Sequence, residues 1–110
     1  MPDAPSSKDD DMLRQAIGAE LAGGLKTEVY PRAGDSEAVN AIIARLRSSE
    51  GGTLKGKLAV SGFTNHAVTE AELEQACETC MYYLVHRKFC DLPELMLPVE
   101  PEWSCRVWRI

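Results

Sequence analysis

The chain has 110 residues, 45% of them hydrophobic and 26% charged, with a formal net charge of -5. That length supplies one domain that buries roughly two-thirds of its unfolded surface; a two-domain enzyme is excluded, and the ordinary composition excludes wholesale disorder and fibrous classes. The 12 Lys and Arg are scattered, so the basic footprint of a nucleic-acid or anionic-membrane binder is missing and neither partner is expected.

Residues 1–8 read as a disordered tail and 9–110 as a single small domain. The N-terminal stretch lacks the basic and apolar regions of a secretory signal, and no run reaches the ~20 apolar residues of a membrane span, so the expected location is cytoplasmic. The first helix is expected from about Asp10 to Leu25, with Leu13, Ile17 and Leu21 at i+4 steps and acidic residues at its positive end. A short extended piece, Thr27 to Tyr30, closes at Pro31 and Gly34. The second helix opens at Asp35-Ser36 as N-cap, places Val39, Ile42, Ile43 and Leu46 on one face, and stops at Ser48-Ser49. The alternation of Leu54, Gly56, Leu58 and Val60 with Lys55, Lys57 and Ala59 predicts a strand over 53–60.

Thr69-x-x-Glu72 has the form of a capping box, with Val68 and Leu73 placed as a hydrophobic staple. It predicts a third helix to about His86 in which Leu73, Cys77, Cys80 and Leu84 lie within about 60° of one another. The first part, 9–76, is therefore a helical scaffold with one strand. Residues 77–110 form a Cys- and aromatic-rich segment: Pro93, Pro98 and Pro101 deny helix to a stiff arm that returns Cys105 and the tryptophans to the third helix. The expected fold class is mainly α with minor β: three helices plus a Pro-rich C-terminal arm folded back through a four-cysteine site.

All four cysteines and five of the seven aromatics (Tyr82, Tyr83, Phe89, Trp103, Trp108) lie in that last segment. In a reducing compartment the spacing Cys77-x2-Cys80-x9-Cys90-x14-Cys105 points to metal ligation. Structural zinc usually takes two knuckles; one CxxC with two single cysteines suits an iron-sulfur cluster better. The zinc alternative is Cys77, Cys80, His86 and Cys90, which leaves Cys105 over; in the plainer reading His86 is a helix-end histidine. Disulfides, or thiols packed as small hydrophobes, are the remaining readings. The aromatics are candidates for shielding a cluster or for core.

Residues 77–110, with Cys-Glu-Thr-Cys-Met-Tyr-Tyr, Phe-Cys-Asp-Leu-Pro and Glu-Trp-Ser-Cys-Arg-Val-Trp, resemble the cluster-binding half of high-potential iron-sulfur proteins. That resemblance implies one [4Fe-4S] cluster on Cys77, Cys80, Cys90 and Cys105, shielding by Tyr82, Tyr83, Trp103 and Trp108, and one-electron transfer with a protein redox partner. Three features depart from the family: Trp103-Ser104-Cys105 stands where the family has Gly-Trp-Cys, the Cys80 to Cys90 interval is short, and the twin-arginine export signal is missing.

Nothing suggests an enzyme. Gly51-Gly-Thr-Leu-Lys-Gly-Lys-Leu58 matches most of a phosphate-binding loop but puts Leu58 where Ser or Thr would hold magnesium. His66 reads as a loop residue, and with two histidines and no paired carboxylates acid-base catalysis has no support. The function expected is electron transfer or redox sensing. The alternative is a non-enzymatic adaptor or regulatory protein, with structural zinc or no metal, that meets a protein partner through Arg106 and Arg109.

Overall fold

The computed structural model describes residues 8–70 and 72–109. Among them are three α-helices, α1 (Lys8–Ala22), α2 (Ser36–Arg47) and α3 (Leu54–Ser61), and five short strands: β1 (Val68–Glu70), β2 (Leu73–Gln75), β3 (Tyr83–Leu84), β4 (Phe89–Cys90) and β5 (Leu97–Pro98). Mainly α with minor β holds as the coarse class. Of the expected N-terminal tail, residues 1–7 lie outside the described residues, and Lys8 is the first residue of α1.

Helix α1 begins with Asp9, Asp10 and Asp11 at its positive end and buries Ile17. Its Gly18 faces Trp103, where an added methyl would stand 3.3 Å from the ring. Arg14 carries α1 across the molecule. Its Nε donates to the Val99 carbonyl (2.9 Å) and its Nη2 to the Arg87 and Lys88 carbonyls (3.1 and 2.9 Å). Asp10 meets Arg87 at 2.7 Å. Helix α2 matches its expectation: the Asp35 carboxylate accepts from the Ala38 amide (2.8 Å) and Val39, Ile42 and Leu46 are buried.

The strand expected over 53–60 is instead α3. Thr53 supplies the N-cap, its hydroxyl accepting from the Gly56 amide at 3.0 Å, and Gly62 (φ 67) ends the helix in the left-handed region. Leu54, Leu58 and Ser61 sit at i, i+4 and i+7, the same leucines that satisfied an alternating pattern. Gly56 belongs here because the Glu50 carbonyl lies where its Cβ would be.

The third helix expected from Thr69 to His86 does not form. Val68 pairs with Gln75 and Glu70 with Leu73 in an antiparallel hairpin whose turn holds Glu72 at φ 66. Cys77–Thr79 is one 3-10 turn, and β3, β4 and β5 make a three-stranded antiparallel sheet in register Tyr83↔Cys90↔Leu97 and Leu84↔Phe89↔Pro98. The capping-box signal lost to tertiary partners. Arg32 donates to the Gln75 side chain (2.7 and 2.9 Å), and the Trp108 indole takes the Ala76 carbonyl (2.9 Å). The Cys77 amide donates to the Trp103 carbonyl (2.6 Å). A helix would need the Cys77 amide and the Ala76 carbonyl for itself. Leu73, expected in the core, is 43% exposed, and Leu84 is only half-buried.

The segment after Cys90 has no helix among its described residues, and it supplies a large share of the core: Leu92, Leu95, Leu97, Val99 and Trp103 pack with Ile17, Ile42, Leu58 and Phe63. Its return is stitched by backbone bonds from Glu78 to Pro101 (3.1 Å), from Met81 to Arg109 (2.7 Å), and by a Thr64–Ser104 pair (2.8 and 3.1 Å).

Candidate metal centre

Three elements bring the four cysteines to one place. The 3-10 turn carries Cys77 and delivers Cys80, whose amide donates to the Cys77 carbonyl at 3.0 Å. Strand β4 carries Cys90, and the returning arm places Cys105. All four border one cavity together with Phe63, Tyr82, Tyr83, Val99 and Trp108. Its volume is about 290 Å³ with the open mouth included. Cys77 and Cys105 are buried and Cys80 and Cys90 half-buried, and all four are free thiols.

Burial pushes the Cys77 and Cys105 thiols well above the ordinary thiol range, and the neighbouring cysteines push them further. Burial likewise raises Cys90, to about 12. Two backbone amides oppose this: Leu92 N–H points at the Cys90 sulfur and Val107 N–H at the Cys105 sulfur. Each amide lies two residues beyond its cysteine, so the local turn aims it. Such donors favour negative charge on sulfur, and hydrogen bonds to ligand sulfurs tune bound metal clusters.

Among the described residues no group of three or more His, Cys, Asp or Glu is arranged to hold a single metal ion. A zinc ion with bonds of about 2.3 Å draws four sulfurs to about 3.8 Å of one another. A cubane takes one thiolate on each of four irons and holds the sulfurs further apart around a larger body. What the structure places together is four thiols around a common apolar space bordered by aromatic rings.

The other expected site residues divide. Tyr82, Tyr83 and Trp108 border the cavity. Phe89 and Trp103 do not: Phe89 lies under the Arg87 guanidinium, 3.7 Å from its ring centre, and Trp103 covers Gly18. His86, the alternative ligand, is exposed in the turn between β3 and β4, neither at a helix end nor on the cavity. Arg106, expected at a partner contact, is 5% exposed and donates through Nε to the Val60 carbonyl (2.9 Å). Its Nη2 stands 3.6 Å from Glu28 without a hydrogen-bond partner. Arg109 is half-buried on the surface. Sequence reasoning missed Phe63 and Val99 on the cavity wall, and Arg32, which bonds the Cys105 carbonyl (2.8 Å) and the Ser104 hydroxyl (3.0 Å) and so fixes the last cysteine. No spacing signal marks these three.

No protein-family model, curated protein or solved structure matches the chain. Among the described residues no helix is long and apolar enough to cross a membrane.

Proposed function

We propose that this is a small one-electron protein of the cytoplasm, acting in electron transfer or redox sensing with a protein partner, and that Cys77, Cys80, Cys90 and Cys105 hold one [4Fe-4S] cluster. The observation that carries this reading is the convergence of four free cysteines, spread over 29 residues, on one apolar cavity. When bound, the cluster would supply a reversible one-electron couple. The chain does the rest. The four thiols lose their protons on binding, since only thiolates ligate. Tyr82, Tyr83, Phe63 and Trp108 keep water from the sulfurs, and the Leu92 and Val107 amides offset part of the charge. The Pro-rich arm is then held to the Cys77 turn by ligation as well as by its hydrogen bonds, and the likeness of residues 77–110 to high-potential iron-sulfur proteins points the same way.

Single Cys→Ser replacements at the four positions test the ligand set. Each is expected to abolish or sharply reduce bound iron and sulfide together, while the alternative thiol-free position His86→Ala leaves both unchanged. Loss of iron on His86→Ala with retention on Cys105→Ser would instead establish the Cys77, Cys80, His86, Cys90 zinc-type set.

A further inference from the structure

Trp108 borders two spaces. One is the cysteine cavity; the other is an open groove of about 960 Å³ on the far side, between the start of α2 and the β1–β2 hairpin. The groove has an apolar floor of Val39, Leu73 and Trp108. Leu73 is an exposed leucine at 43%, directly opposite Glu70 in the hairpin register and so on the same face. Among the described residues that line the groove, Asp35 and Glu70 stand against Arg109, with Arg32 near enough to Glu70 to feel its charge; exposed Glu37 follows in the first turn of α2, and the whole chain carries -5. The Trp108 indole is fixed between the two spaces by its bonds to the Ala76 carbonyl (2.9 Å) and the Thr79 hydroxyl (3.1 Å).

We propose, resting on the cluster reading above, that this groove is the electron port: it docks a one-electron carrier protein whose contact face has a basic rim around an apolar centre. The acidic rim steers that partner, Leu73 seats its apolar centre, and the indole of Trp108 borders both the groove and the cysteine cavity. One electron crosses per encounter, so the cluster and the carrier change charge by one in opposite directions. Steering of this kind acts on the encounter rate and weakens with salt.

Two cationic probes test it. Hexaamminecobalt(III), titrated into the isotope-labelled protein, is expected to shift the amide signals of Asp35, Glu70 and Gln75 ahead of those elsewhere, and Asp35→Asn/Glu70→Gln, in which Asn retains the α2 cap, is expected to abolish those shifts. Hexaammineruthenium(III), taking one electron from the reduced cluster to become ruthenium(II), is expected to react about tenfold more slowly with the double variant at low ionic strength. Its anionic counterpart ferricyanide should react no more slowly, with iron and visible spectrum unchanged. Leu73→Glu, at an exposed position, is expected to speed the ruthenium reaction about threefold. Unchanged ruthenium rates in both variants, or equal losses with both oxidants, overturn the port while leaving the cluster. A protein that binds no iron overturns the cluster reading, and the port with it.

Discussion

Replacing Arg14 with Met keeps the packed stem and removes the guanidinium that ties α1 to the cysteine-bearing half. Arg14 is 6% exposed and donates to three carbonyls 73 to 85 residues away in sequence, Arg87, Lys88 and Val99. After the change Lys88 still receives the Val99 amide (2.9 Å), whereas the Val99 carbonyl loses its charged donor. Hydrogen bonds to a charged donor contribute about 1.5–3 kcal/mol each, and a stranded buried acceptor costs about 1–3 kcal/mol. The sum for Arg14→Met is about 3–5 kcal/mol, out of a total stability of about 5–15 kcal/mol for an ordinary domain. At about 4–8 °C per kcal/mol for a chain near this size, Tm should fall by about 12–40 °C. The Arg14–Asp11 pair should contribute little, because Asp11 is 56% exposed; Asp11→Asn is the control, with a loss under about 1 kcal/mol. Urea unfolding followed by circular dichroism measures both. A loss for Arg14→Met no larger than that of Asp11→Asn would refute the clamp.

Four further outcomes follow from the same structure. Under anaerobic conditions and freed of metal, Cys90 at pH 7.5 should react with a disulfide reagent about a thousandfold more slowly than an ordinary thiol, since its pKa stands near 12 against a usual 9.0; mass-resolved labelling with and without denaturant reads this. Because the unfolded thiol ionises near 9 and the folded one near 12, the unfolded chain binds fewer protons between those values, and the metal-free protein should lose stability as pH rises from about 9 to 12. Stability flat across that window in urea titrations would refute the burial of Cys90. Gly56→Ala should destabilise by about 2 kcal/mol or more in thermal melts, although alanine favours helix by about 1 kcal/mol, because the new methyl collides with the Glu50 carbonyl; a stabilised variant would contradict the placement of α3. Trp108→Phe should lower stability by about 1 kcal/mol through loss of the indole N–H bonds to the Ala76 carbonyl and the Thr79 hydroxyl, the carbonyl keeping its bonds from Thr79; the same melts measure it, with no loss taken as refutation.

The helices at each end of the sequence's legibility differ in kind. Helix α2 was readable because its cap, its apolar period and its stop coincide within residues 35–48. Residues 53–60 were misread because Leu54 and Leu58 fit both periods; the Thr53 cap, the Gly62 stop and the approach of the Glu50 carbonyl to Gly56 decide for helix. The hairpin at 68–75 was hidden behind a valid local capping pattern; its deciding partners, Arg32 and Trp108, lie about 40 residues before and 30 residues after it. Local pattern cannot weigh such contacts. The cysteines, by contrast, were legible as a set because their chemistry is rare and their clustering conspicuous, although the helix assumed to present Cys77 and Cys80 is a 3-10 turn. Shielding residues were half legible: Tyr82 and Tyr83 flank a cysteine in sequence and in space, whereas Phe63 reaches the cavity only through the Thr64–Ser104 pairing, and Phe89 and Trp103 turn to other tasks.

The central claim is that the four thiols share one cluster. An anaerobic ultraviolet-visible spectrum of the untagged protein, taken with iron, zinc and acid-labile sulfide analysis, addresses it directly. The account predicts a broad absorption near 400 nm with about four iron and about four sulfide per chain. A colourless protein with one zinc, or with no metal at all after anaerobic reconstitution with iron and sulfide, would contradict it.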